Sequence, residues 1–313
     1  MWTGLISHPA CLEHLPPRGH PECSDRLRAI MGILEASAYQ DLVRIDAPLA
    51  AEVDLLRAHT REHVDAILGP QTKAIVAKGY LHIDPDTAMM SGSIDAALRA
   101  SGAVVAAVDE VQAGRLRNAF CAVRPPGHHA ERARAMGFCL FNNVAVGALH
   151  ARAVHGYRRL AIVDFDVHHG NGTQDIFWSD TDTFYASSHQ APFYPGTGNS
   201  SERGSFHNVL NVPLRAGSGS REFRAAYERQ ILPALQQFEP DFIFLSAGFD
   251  AHRDDPLAEL ELVENDYFWV TQAACEIARV CCGARVVSVL EGGYDLEALA
   301  RSAAAHVRAL MEA

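Results

Sequence analysis

The sequence predicts an α/β fold: a parallel sheet with helices on both faces. Two observations predict it. In the second half of the chain, short apolar runs of strand length alternate with longer stretches of helix length, the pattern of a parallel sheet with crossover helices. The unusual polar residues, meanwhile, follow directly on those apolar runs, where α/β sheets present their carboxyl edge and bind ligands.

In chain order, residues 93–110 read as a helix and 119–123 (Ala-Phe-Cys-Ala-Val) as a strand. A helix over 142–153 follows. Leu160-Ala161-Ile162-Val163 is the kind of continuous apolar run that a doubly covered sheet buries, and it sets a strand at 159–163. Residues 183–186 are the next strand. A helix over 220–237, a strand over 241–245, a helix over 264–280 and a strand over 285–290 complete the alternation. Asp295 is placed to N-cap a last helix over 296–311.

The 313 residues show no linker, internal repeat or low-complexity tract, so one domain over 1–313 is expected. The 48% hydrophobic content is ample for a large core. No apolar run reaches the ~18 residues of a membrane span, and the N-terminus lacks a basic then apolar leader. No membrane contact and a cytoplasmic location are therefore expected. Seven cysteines, an odd number without a C-x-x-C pair, read as buried small hydrophobes rather than disulfides or a thiolate metal site. Cys139 stands apart by its nearness to His128-His129. A net charge of -11 without basic clusters argues against nucleic-acid binding and is compatible with cationic substrates.

The strand at 159–163 leads into Asp164-Phe165-Asp166-Val167-His168. In extended chain a spacing of two puts Asp164, Asp166 and His168 on one face. Two carboxylates and an imidazole crowded there call for compensation, which a divalent metal supplies. Asp166, His168 and Asp250 form a three-ligand set that leaves one position open, the catalytic pattern; its donors suit Zn, and also Fe(II) or Mn(II). His128-His129, after Pro-Pro-Gly, read as acid/base machinery, with Asp164 and Asn171 available to orient one ring each. Tyr294, after Gly292-Gly293, can donate to a developing oxyanion. Asp250-Ala251-His252-Arg253-Asp254 matches the pattern of binuclear manganese enzymes, but the second carboxylate-rich cluster is missing, and His252 and Asp254 read as loop residues.

Taken together, Arg124-Pro125-Pro126-Gly127-His128-His129-Ala130, Gly137-Phe138-Cys139, Asp164 to Gln174, Ser246-Ala247-Gly248-Phe249-Asp250 and Glu291-Gly292-Gly293-Tyr294 resemble the zinc-dependent histone deacetylase superfamily. That superfamily includes acetylpolyamine amidohydrolases and acetoin-utilisation proteins. The motifs run in its order from about His20 to the C-terminus. The resemblance implies an arginase-like fold with a central, mainly parallel eight-stranded sheet. It implies one zinc on Asp166, His168 and Asp250, with His129 as general base and acid and His128, paired with Asp164, as its electrostatic partner. Asn171 behind His129 is similar to the class II branch. Tyr294 matches the carbonyl-polarising tyrosine.

On the substrate side the resemblance implies Phe138 (with Gly137) and Tyr194 as channel walls, Asp86 as the loop carboxylate gripping substrate backbone, and Arg26 in an internal acetate cavity. It also implies potassium near Asp164, Asp166, His168, Ser187 and Ser188, with a second site made of carbonyls near Phe177, Asp180, Thr183 and Asn208. The expected activity is removal of acyl groups from lysine side chains or a related small amine, with acyl-lysine peptides or proteins as partners; a homo-oligomer is compatible. A polyamine deacetylase is the alternative, and Leu257, where one polyamine-selective branch carries Glu, weighs against it. A non-catalytic acyl-lysine reader is a further alternative, disfavoured because the ligands and the base are all present.

Overall fold

The computed structural model describes residues 2–313. Its strands are β1 (Trp2–Ser7), β2 (Val43–Asp46), β3 (Leu81–His82), β4 (Ala88–Met89), β5 (Leu116–Cys121), β6 (Leu160–Asp164), β7 (Thr183–Gln190), β8 (Val209–Leu214), β9 (Phe242–Ala247) and β10 (Val286–Leu290). β3 and β4 form a small antiparallel pair. The other eight make one sheet in the order β2-β1-β5-β10-β9-β6-β7-β8, every pairing parallel. This is the eight-stranded single domain that the resemblance implied. Around it lie α1 (Ser24–Ile33), α2 (Glu52–Ala58), α3 (Arg61–Leu68), α4 (Pro70–Val76), α5 (Ser93–Gln112), α6 (Asn143–His155), α7 (Asn171–Phe177), α8 (Ser220–Ala226), α9 (Leu232–Phe238), α10 (Glu264–Cys281) and α11 (Leu296–Glu312). No described helix is long and apolar enough to cross a membrane.

The apolar runs are explained by position. β6, β9 and β10 are buried along their whole length, so neither face has reason to alternate. β2, at the sheet edge, does alternate, with Val43 and Ile45 half-buried and Arg44 and Asp46 exposed. Asp295 caps α11 as expected, accepting from the Ala298 N–H at 2.8 Å.

Three of the parallel strands carry no clear apolar run. β8 (Val-Leu-Asn-Val-Pro-Leu) contains Pro213, tolerated because β8 is the other edge and Pro213 is exposed. The helix expected over 220–237 is interrupted by a wide π-type turn at Tyr227–Ile231. Pro233, at the start of α9, lacks the N–H that would continue the ladder. β7 also extends to Gln190, so Ser187-Ser188-His189 lie within the strand rather than beyond it.

A buried ion cluster ties the N-terminal segment to the carboxyl edge. The Glu22 carboxylate accepts from Arg26 at 3.1 Å and twice from Arg124, once at 2.7 Å. Burial would raise its pKa, but the two guanidiniums and His14 hold it down to about 2. Arg26 donates onward to the carbonyls of Gly293 and Glu291, both at 2.5 Å. Glu22→Ala, leaving two fully buried guanidiniums without a counter-ion, is expected to cost about 3–5 kcal/mol of stability in denaturant unfolding. A loss within experimental error of zero would show the cluster to be dispensable.

Candidate active site

β6 stops at Asp164, and Asp166 and His168 lie on the loop beyond it. They do not share a strand face with Asp164. Two side-chain turns produce the convergence instead: Asp164 Oδ1 accepts from the Asp166 N–H at 3.1 Å, and Asp166 Oδ1 from the His168 N–H at 2.9 Å. Asp250 arrives from the end of β9. His168 Nδ1 then stands 3.1 Å from both Asp166 Oδ1 and Asp250 Oδ2, and the three ligand atoms lie within 4.8 Å of one another. Each carboxylate is anchored through its other oxygen, Asp166 Oδ2 on the Gly292 N–H (2.8 Å) and Asp250 Oδ1 on the Val167 N–H (2.9 Å). A β-carbon on Gly292 would collide with both carboxylates, so only glycine closes this wall. Two fixed, buried carboxylates and one imidazole nitrogen are a donor set that fits zinc.

The tandem histidines follow β5. His128 Nδ1 is 3.0 Å from Asp164 Oδ2, and His129 Nδ1 is 2.7 Å from Asn171 Oδ1. Their environments drive them apart. Burial opposes charge on His128, but Asp166 and Asp164 prevail and hold it up at about 10. Burial, then His128 and His168, push His129 well below the usual imidazole range. The two rings are thus pushed in opposite directions, with ring centres 4.1 Å apart. Because Asn171 accepts the Nδ1–H, the free lone pair of His129 is on Nε2.

Tyr294 lies edge-on to Phe138 with centres 5.9 Å apart, and the Arg26 guanidinium sits 4.8 Å from its ring centre. Burial keeps its phenol protonated, well above the usual value. Tyr194 is edge-on to His129 at 5.2 Å and to His168 at 6.0 Å, so the two expected channel walls flank the centre. Gly137 takes φ +57° and a β-carbon there would stand 2.5 Å from the His129 ring. Asp86 is at the mouth: it accepts from the Thr87 hydroxyl, which itself accepts from the Phe138 N–H. Leu257 is half-buried, and its N–H donates at 2.9 Å to Asp255, which also accepts the Tyr294 N–H. Cys139 is buried, and burial raises its thiol well above the usual range. His252 and Asp254 face each other, Glu264 and Arg301 rather than the centre.

Three carboxylates in supporting positions were not assigned from the sequence. Glu131 accepts from the Asn171 amide at 2.8 Å and so fixes which way it points. Glu291 accepts the N–H groups of Gly127 and His128 at 2.7 and 3.1 Å. Asp255 accepts the Tyr294 N–H at 2.7 Å. Burial, then Asp250, raises Asp255 to about 7; burial likewise raises Glu291 to about 7. Glu291 adjoins Gly292-Gly293-Tyr294, which was the available signal.

Asp164 and Ser187 are register partners across β6 and β7, which fits a shared cation. In the second set the carbonyls of Phe177 and Thr183 converge on the Asn208 side chain, at 2.8 and 3.1 Å.

The profile of the histone deacetylase domain matches residues 20–310. Type-2 histone deacetylase 2 of Dictyostelium discoideum is 39% identical over 99% of this chain, which spans only 21% of that protein's length. Histone deacetylase 14, chloroplastic, of Arabidopsis thaliana is 40% identical over 98% of this chain and 76% of its own. A probable deacetylase of Methanothermobacter thermautotrophicus is 42% identical over 93% of this chain and 86% of its own. The crystal structure of the HDA15 HD domain superposes with a TM-score of 0.93 at 38% identity, covering 99% of this chain and 88% of that one. The sequence match, the eight parallel strands and the shared overall architecture lead to one conclusion: the chain belongs to the histone deacetylase family.

Proposed function

We propose that the chain is a zinc-dependent amidohydrolase that removes acetyl or other acyl groups from lysine side chains or a related linear amine. The carrying observation is the His129 ring, held through Nδ1 by Asn171, beside the Asp166–His168–Asp250 set. Those three residues would hold zinc, which when bound would supply Lewis acidity toward the amide carbonyl and water. His129 Nε2 takes the proton of the attacking water and returns it to the leaving amine. His128, paired with Asp164 at 3.0 Å, is the electrostatic partner of His129 for the negative charge that develops. The Tyr294 O–H donates to the oxyanion of the tetrahedral intermediate. Phe138 and Tyr194 hold the alkyl chain between them and exclude water. A potassium ion at Asp164 and Ser187 belongs to the same proposal, as a fixed charge behind the centre.

Asp86 and the neighbouring Asp84 make the mouth acidic, which suits backbone N–H groups or an amine. Acetyl-lysine peptides are expected to exceed acetylputrescine in kcat/KM by roughly tenfold or more, because Leu257 offers no carboxylate to a second ammonium. The reverse order would transfer the proposal to polyamines. Bound zinc without hydrolysis of any acyl substrate would make the chain a reader instead of an enzyme.

A further inference from the structure

A second set of metal-ligand atoms lies at the opposite edge of the sheet. α5 and α6 run back to the starts of β5 and β6, so their C-terminal ends lie away from the carboxyl edge. Asp109 is near the end of α5, and His150 and His155 are in the last turns of α6. Both imidazoles aim Nε2 at one oxygen, Asp109 Oδ1, at 2.8 Å from His150 and 2.6 Å from His155. The three ligand atoms lie within 4.8 Å of one another. Behind the first ring, His150 Nδ1 stands 3.2 Å from Asp54 Oδ1 on α2.

We propose that Asp109, His150 and His155 form a second metal site, open to solvent, for Zn2+ or a similar borderline divalent cation. Two imidazole nitrogens converge on a single carboxylate oxygen. A cation at that point would instead engage all three ligand atoms at once. Two imidazole nitrogens and one carboxylate oxygen select zinc, nickel or copper over magnesium or calcium. The side chains are 8%, 19% and 44% exposed for His150, His155 and Asp109, so the set is anchored on one side and accessible on the other. That leaves a fourth, solvent position for a tetrahedral ion.

Asp54 occupies the place behind a ligating imidazole from which a carboxylate fixes tautomer and basicity. With the metal on Nε2, His150 carries its proton on Nδ1 and donates it to Asp54. Arg57 also approaches Nδ1, at 3.2 Å, and pairs with Asp54. On metal binding it keeps the carboxylate and withdraws from the ring, for which its partly exposed side chain has room. The ligand atoms must also spread from 2.6–2.8 Å to the ~3.3 Å set by metal bonds of about 2.0–2.1 Å. His155, at the helix end, and the half-exposed Asp109 can supply that movement. No step of the proposed hydrolysis uses these residues.

The test is metal analysis of the purified chain after dialysis against buffered Zn2+. Wild type is expected to hold one equivalent more than His155→Ala, with hydrolytic activity unchanged by the substitution. Asp109→Asn is expected to lose the same equivalent, which guards against a folding defect in either variant. The difference must persist when His168→Ala is added to both chains, separating this site from the zinc of the proposed reaction. In that background Co2+ should give a visible ligand-field band that disappears with His155→Ala. Equal metal content and an unchanged cobalt spectrum with and without His155 and Asp109 would overturn the proposal.

Discussion

His168→Ala is expected to hold one equivalent of zinc less than wild type and to lose turnover by roughly 10³-fold or more, the several kcal/mol that a metal's Lewis acidity contributes. The geometry makes compensation difficult. His168 supplies the single nitrogen of its ligand set, 3.1 Å from both carboxylates. Those carboxylates cannot move to fill the gap, because Gly292 and Val167 N–H groups hold their other oxygens. Phe193, stacked on His168 with centres 5.3 Å apart, leaves an apolar void behind the missing ring. Two facing carboxylates without a nitrogen between them then repel, and one takes up a proton instead of a cation. Metal analysis and single-turnover kinetics measure the two effects separately. A variant with full zinc content and full turnover would remove His168 from the ligand set.

The parts of this centre legible in the sequence are those on strand ends. β5, β6, β9 and β10 announce themselves by short, mostly apolar runs, and the residues that follow each run converge because parallel strands share one carboxyl edge. Asp166 and His168 could therefore be paired from their spacing, and Asp250 joined to them as a residue that follows another strand. The reason given by spacing was nevertheless wrong in one respect: the chain leaves the strand at Asp164, and carboxylate-to-backbone turns bring the ligands together. What stayed hidden depends on side-chain direction across long sequence separations. Glu131 meets Asn171 through a loop, and Asp255 meets Tyr294 through two. No periodicity marks a carboxylate that ends on a backbone N–H.

Tyr294→Phe isolates the hydroxyl. It is expected to lower kcat by about 10²–10³-fold, the usual effect of removing one oxyanion donor, with KM nearly unchanged and zinc content intact. The ring's own interactions survive the change. Phenylalanine keeps the edge-on packing against Phe138 and the Arg26 guanidinium 4.8 Å from the ring centre. The main chain stays where Asp255 and Arg26 hold it, through the Tyr294 N–H and the Gly293 carbonyl. Loss of the donor is then felt only where charge develops on the carbonyl oxygen, which is why kcat and kcat/KM should fall together. The phenol is held protonated well above its ordinary value, so the defect should not be rescued by changing pH across the neutral range. Asp255→Ala gives the complementary result. It leaves the hydroxyl in place but frees the Tyr294 N–H, so kcat should fall less than in Tyr294→Phe. If Tyr294→Phe retained wild-type kcat, the oxyanion would have to be held without the phenol, and the role assigned to Tyr294 would pass to the metal alone.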